Sequence, residues 1–262
     1  MDLGLKGKRA LVLAASRGLG YACARGLAQE GCHLVICSRD EARIQAAGAQ
    51  IRKDTGARVE ALAADVSNAA EAERLVGAAV SAYGGLEVLV HNAGGPPAGG
   101  FSAVNEAQWT QAFDQNMMSF VRIVNAAVPE MKKAGYGRVL SIASSSIKQP
   151  IPNLVLSNAF RAGVWGIAKT LSQELGPQGI LVNLIAPGRI STERIAELDQ
   201  ANATRTGKAI EDVRKASVAS IPLGRLGDPE EFANLVVFLA SARASYISGQ
   251  GIFVDGAAGT AL

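Results

Sequence analysis

Short apolar runs of about five residues recur along the chain, each followed by a longer stretch in which apolar and polar positions mix at helical spacing. Ala10-Leu11-Val12-Leu13-Ala14 is the first run, and it predicts a buried strand ending in a Gly-bearing turn. Residues 21–30 predict a helix stopped at Gly31, a residue type suited to a helix C-terminus. The alternation then continues. Strands are predicted at 33–37, 59–63, 86–90, 138–143, 181–185 and 251–255. Helices are predicted at 41–53, 68–82, 109–131, 155–175 and 229–241. About seven strands alternating with helices predict parallel pairing, with helices on both faces of one doubly wound α/β sheet. No Pro- or Ser-rich linker and no internal repeat divides the chain, so 1–262 reads as a single domain. Residues 190–221 are the exception, a polar stretch of helical composition inserted before the last helix.

Composition narrows the class. Of 262 residues, 48% are hydrophobic and 19% charged, enough for a large core and unlike a disordered chain. A net charge of +3 with no Lys/Arg block argues against nucleic-acid or membrane partners. No apolar run approaches the roughly 18 residues of a membrane span, and the first residues are polar, unlike a signal peptide. Cys23, Cys32 and Cys37 read as reduced thiols of a cytoplasmic protein. His33 and His91, without a Cys/His cluster, argue against zinc.

Four segments carry chemistry. Leu13-Ala14-Ala15-Ser16-Arg17-Gly18-Leu19-Gly20 joins the first strand to the first helix. Such a turn lets the backbone approach a pyrophosphate, which then meets the unpaired N–H groups of a helix N-terminus. His91-Asn92-Ala93-Gly94 follows the fourth strand, Ser157-Asn158-Ala159-Phe160-Arg161 opens the long helix, and Ala186-Pro187-Gly188-Arg189-Ile190-Ser191-Thr192 follows the sixth strand. Together these segments resemble the short-chain dehydrogenase/reductase family, and within it the 3-oxoacyl-carrier-protein reductase type. The resemblance implies a Rossmann-type fold and a nicotinamide dinucleotide. It places cofactor contacts at Ser16, Arg17 and Leu19, at Ser38 and Arg39, at Asp65 and Val66, and at Asn92, Ala93 and Gly94. It adds Arg161, Pro187, Gly188, Ile190 and Thr192 at the nicotinamide end, and makes 190–221 a substrate flap rather than a surface excursion. The first glycine of the family pattern is Ala14 here. Ser38 stands where NAD-binding chains usually carry an acid, and Arg17 and Arg39 suit a 2′-phosphate. NADP(H) is therefore expected over NAD(H), unless both arginines are merely solvated.

The family's catalytic relay is Asn, Ser, Tyr and Lys. Asn116 and Ser144 fit its first two positions. Thirteen residues beyond Ser144, where the Tyr belongs, stands Ser157, and Arg161 occupies the Lys position. No Tyr occurs between Tyr136 and Tyr246 to restore the motif. Residues 157 and 161 share a helix face, so the pair keeps its geometry. A serine is a far weaker acid than a phenol, and arginine holds its proton. Arg161 can still bind the nicotinamide ribose, polarise a carbonyl or grip a carboxylate. Lys148 is the other expected proton donor, if it is desolvated beside Arg161; otherwise it is a solvated loop lysine. His91 reads as a packed strand-end residue.

Three functions follow. The first is an NADP(H)-dependent oxidoreductase interconverting a carbonyl and a secondary alcohol with an atypical proton relay. The second is a cofactor-binding sensor or scaffold without redox activity. The third is another reaction, such as dehydration or epimerisation, on the same scaffold. Arg161, Lys148 and Arg189 point to an anionic small-molecule substrate. The resemblance also implies a homotetramer, joined through the helices at 109–131 and 155–175 and the last strand.

Overall fold

The computed structural model of the protein describes residues 1–261. Its elements run β1 (Arg9–Val12), α1 (Gly18–Gln29), β2 (His33–Ser38), α2 (Glu41–Thr55), β3 (Val59–Ala63), α3 (Ala69–Tyr83) and β4 (Val88–His91). There follow α4 (Glu106–Phe113), a π turn (Asp114–Met118), α5 (Ser119–Ala134), β5 (Gly137–Ile142), α6 (Val155–Leu175) and β6 (Ile180–Pro187). The chain closes with α7 (Glu193–Thr206), α8 (Ile210–Ala219), α9 (Pro229–Ala240) and β7 (Gly251–Val254). One parallel sheet carries all seven strands in the order β3-β2-β1-β4-β5-β6-β7.

Burial on both faces explains why the strand runs are apolar throughout rather than alternating. Val12, Ile36 and Val90 turn to one side and pack with Leu27, Phe232 and Val236 of α1 and α9. Leu11, Val35, Leu89 and Val139 turn to the other and meet Leu75, Phe120 and Val164 of α3, α5 and α6. Each fully buried side chain of this size contributes ~1.5–3 kcal/mol.

Local signals set the helix ends. The Asp40 side chain accepts from Arg43 N at 3.0 Å to start α2, and Asn68 accepts from Ala70 N at 3.1 Å to start α3. Gly56 and Gly84 end these two helices in the left-handed conformation. Asp228 and Glu231 form a capping box on α9, with Pro229 in its first turn. The expected helix at 109–131 proves to be two helices around the π turn, where Ser119 N donates to Asp114 O. The expected strand at 10–14 ends at Val12, because Ala14 turns to φ +48°.

The sheet order reverses direction between β1 and β4, which opens a crevice at their carboxyl ends. Residues 190–221 contribute α7 and α8. The start of α7 lies against the Gly-rich turn: a Cβ on Gly18 would sit 3.7 Å from the Thr192 methyl group.

Candidate active site

A cleft of about 920 Å³ runs along the carboxyl ends of the strands and under the start of α7. Every residue expected to hold the cofactor lines it. At its centre is the N-terminus of α1. Arg17, the residue before the helix, is extended and supplies no side-chain cap, so the first N–H groups of α1 are left for a ligand. Gly18 is left-handed at φ +58°. A Cβ on Gly20 would meet Ala14 O at 2.4 Å and Asn92 Nδ2 at 2.8 Å, so only glycine lets the turn close on β4. Asn92 Nδ2 donates to Ala14 O at 3.3 Å, tying the two loops together. Ala14 holds the positive φ that the family's glycine would hold without strain, at a cost of ~1–2 kcal/mol. This uncapped helix end, approached by a glycine cradle, fits a dinucleotide pyrophosphate.

Ser38 and Arg39 border one end of the cleft, as expected, together with Arg43, which sequence reasoning missed. Arg43 pairs with Asp40 at 3.2 Å. Arg17 pairs with Glu193 of α7 and lies 3.7 Å from Glu197. Asp65, exposed on the cleft, accepts from the Ser67 backbone at 3.0 Å and from its hydroxyl at 2.8 Å. At the other end, a Cβ on Gly188 would lie 2.5 Å from Asp255 Cβ, so glycine is what allows β6 and β7 to converge there.

Ser144, Ser157 and Arg161 line this same cleft. Ser144 Oγ accepts from Ser146 N at 3.2 Å, and Ser157 Oγ lies 3.5 Å from Ser146 Oγ. Three hydroxyls thus cluster where β5 gives way to α6. Arg161 is 6% exposed. Its guanidinium donates to Ile142 O and, at 3.2 Å, to Ala93 O, bridging the ends of β5 and β4. Its Nε has no partner. Burial, and the charge of Arg194 on α7, push its pKa down to about 10, which leaves it cationic at neutral pH.

His91 is packed, as expected. Its Nδ1 lies 2.9 Å from Ser141 Oγ and its Nε2 3.0 Å from Ser119 Oγ. Ser119 spends its proton on Gln115 O at 2.6 Å, so it must accept from His91 Nε2–H. Ser141 then donates to Nδ1, which assigns the tautomer from the network. Burial, with a contribution from Arg161, lowers the His91 pKa to about 3, so the ring stays neutral.

Two expected catalytic residues are not brought to the cleft. Lys148 is exposed, with its ammonium 5.2 Å from the Phe253 ring centre and 5.9 Å from that of Trp165. It follows a 3₁₀ turn at Ser145–Ile147, and it does not line the cleft. Asn116 is buried in the π turn, where its Nδ2 donates to Ala112 O at 3.1 Å and its Oδ1 has no partner. Its neighbour Gln115 lines the cleft instead. Arg189 does line the cleft but is paired with Asp199 of α7. Arg194, unremarked in the sequence, donates to Pro96 O at 3.0 Å and lies across Gly95, whose added Cβ would be 2.9 Å from its Nη2.

Comparison with known proteins agrees with the fold. Residues 13–258 match the family model described as enoyl-(acyl carrier protein) reductase. The human dehydrogenase/reductase SDR family member 4 is 36% identical over 255 residues, covering 96% of this chain and 87% of that protein. The 3-oxoacyl-[acyl-carrier-protein] reductase FabG of Vibrio cholerae is 34% identical over 257 residues, covering 97% and 98%. Among solved structures, L-sorbose reductase from Gluconobacter frateurii, complexed with NADPH and L-sorbose, superposes with a TM-score of 0.94 at 32% identity over 100% of both chains. Actinorhodin polyketide ketoreductase with NADPH gives a TM-score of 0.93 at 30% identity over 97% of both. With a matching fold and relatives along nearly its whole length, the chain is a member of the short-chain dehydrogenase/reductase family.

Proposed function

We propose that the protein is an NADP(H)-dependent oxidoreductase that interconverts a carbonyl and a secondary alcohol. The observation that carries this reading is the convergence of Ser144, Ser157 and Arg161 on the cleft that also holds the uncapped start of α1. Solved relatives bound to NADPH, and the arginines at positions 17, 39 and 43, favour the phosphorylated cofactor.

Held at the uncapped start of α1 and along Asn92–Gly94 and Pro187–Gly188, the cofactor would supply a hydride to a carbonyl carbon. Ser144 and Ser157 orient the carbonyl oxygen by donating hydrogen bonds to it. Arg161, a buried cation, stabilises the negative charge that develops there. The oxygen takes its proton from the Ser157 hydroxyl, which regains one from water in the cleft. Lys148 has no part in this relay. Arg161 also presents its charge to an anionic substrate. Assembly as a homotetramer and a cytoplasmic location complete the reading. None of the described helices is long and apolar enough to cross a membrane.

NADPH consumption with a panel of aldehydes and ketones tests it. Turnover is expected, with Ser144→Ala and Ser157→Ala each lowering kcat/KM by about 10²-fold. Tight NADPH binding with no turnover across the panel would favour a sensor instead. That second reading draws on the ties of Arg161 to two backbone carbonyls.

A further inference from the structure

Among the described cations of the cleft, Arg161 is set apart by being buried without an acidic partner; Arg39 has none either but is exposed. Arg17 is paired with Glu193, Arg189 with Asp199 and Arg43 with Asp40. Arg161 is more deeply buried than any of these, and only carbonyl oxygens face it. One N–H of its guanidinium is unmatched. A buried cation without a counter-charge is costly unless a ligand completes it.

A second arginine lines the same cleft, near enough for its charge to act on Arg161. Arg194, in the first turn of α7, lies over Gly95 and is fixed there by its bond to Pro96 O at 3.0 Å. Its only acidic partner among the described residues is Glu197, at 3.5 Å and half exposed. Ser144 and Ser157 line the cleft beside Arg161. We propose that Arg161 and Arg194 form a carboxylate subsite, and that the substrate is an oxo acid or hydroxy acid whose carboxylate lies between α6 and α7. The subsite rests on the oxidoreductase reading for its choice of oxo and hydroxy acids. A singly charged group matches the pair better than a phosphate, because Arg194 already shares its charge with Glu197. The carboxylate is a handle only. It undergoes no bond change, and it orients the neighbouring carbonyl toward the two hydroxyls.

Isothermal titration calorimetry on the full-length protein loaded with NADP⁺ tests the subsite apart from turnover. The probes are short 2- and 3-hydroxy acids, their methyl esters and glycerol 1-phosphate. At least one acid is expected to bind about ten-fold more tightly than its ester, with the margin shrinking as salt rises. Arg194→Met should remove most of that margin and leave the NADP⁺ affinity within about two-fold. Arg161→Lys, which keeps the charge, should retain part of it.

Equal affinity for acids and esters overturns the proposal, as does the absence of binding by every acid. Tighter binding of glycerol 1-phosphate, or a parallel loss of NADP⁺ and acid binding in Arg194→Met, also overturns it. Preference for acids without any turnover removes the redox reading and keeps the subsite. Turnover of neutral ketones with no preference for acids does the reverse.

Discussion

Arg138 and Arg161 are both buried against the same sheet, at opposite ends of it. Arg138, on β5 near the amino ends of the strands, is 4% exposed, and its guanidinium stacks 3.9 Å from the centre of the Tyr136 ring. It donates to Gly137 O at 2.8 Å and to Gly179 O and Ser241 O at 3.4 Å. Burial lowers its pKa, as it does for Arg161. The difference lies in completion. An aromatic face and three carbonyls close the shell of Arg138, whereas Arg161 lines the cleft and its buried Nε–H has no partner among the described residues. In an open α/β sheet the carboxyl ends of the strands host ligands, so an unfinished shell at that end reads as function and a finished one at the other end as stability.

The sharpest break of this comparison is a pair of substitutions. Arg161→Met is expected to cut kcat/KM by about 10²–10³-fold. Arg138→Met is expected to leave kcat/KM within about two-fold and to lower stability by ~2–4 kcal/mol. Steady-state kinetics and urea unfolding on both variants decide the matter, and matching profiles would erase the distinction between the two ends.

His91 sharpens it with pH. Its folded pKa of about 3 lies below the ordinary 6.5, so unfolding takes up a proton between those values. The stability this represents is whole above pH 6.5 and is lost as pH falls toward 3, at ~1.4 kcal/mol per pH unit. Between pH 6.5 and 5.5 the carboxylates have barely begun to titrate. In that window the unmodified protein should lose Tm, while His91→Gln starts lower and stays flat. Equal slopes would count against a neutral buried ring.

The smallest expected effect is at Ala14. Ala14→Gly removes the strain of φ +48° and should stabilise the protein by ~0.5–1 kcal/mol, net of the greater freedom of glycine in the unfolded chain. Thermal unfolding reads the sign directly.

Much of this was legible in the residues. The helix at 155–175 and the strand at 59–63 fall where the apolar pattern puts them, because each is long or uniform enough to have one solution. The residues expected at the cofactor end all line the cleft, because that end is built from backbone at strand ends and glycine positions mark such places. The catalytic end was less legible. Which way a loop side chain turns is a tertiary matter, and Lys148 found aromatic faces rather than the cleft. Arg194 reads as one more charge on a polar helix until α7 packs back over Gly95, about a hundred residues away in the chain. The π turn leaves no periodic trace, since a single wide turn shifts the pattern without breaking it.

That turn has a geometric consequence. One extra residue in a helix advances everything after it by about 100° of rotation. Across Asp114–Met118, α5 is therefore out of phase with α4. It is in this shifted phase that Ser119 meets His91 and Arg122 reaches back to Asp114 at 2.9 Å. The alignment of α5 with the end of β4 is thus encoded as a residue count, and a change of length there would misdirect side chains that no substitution had touched.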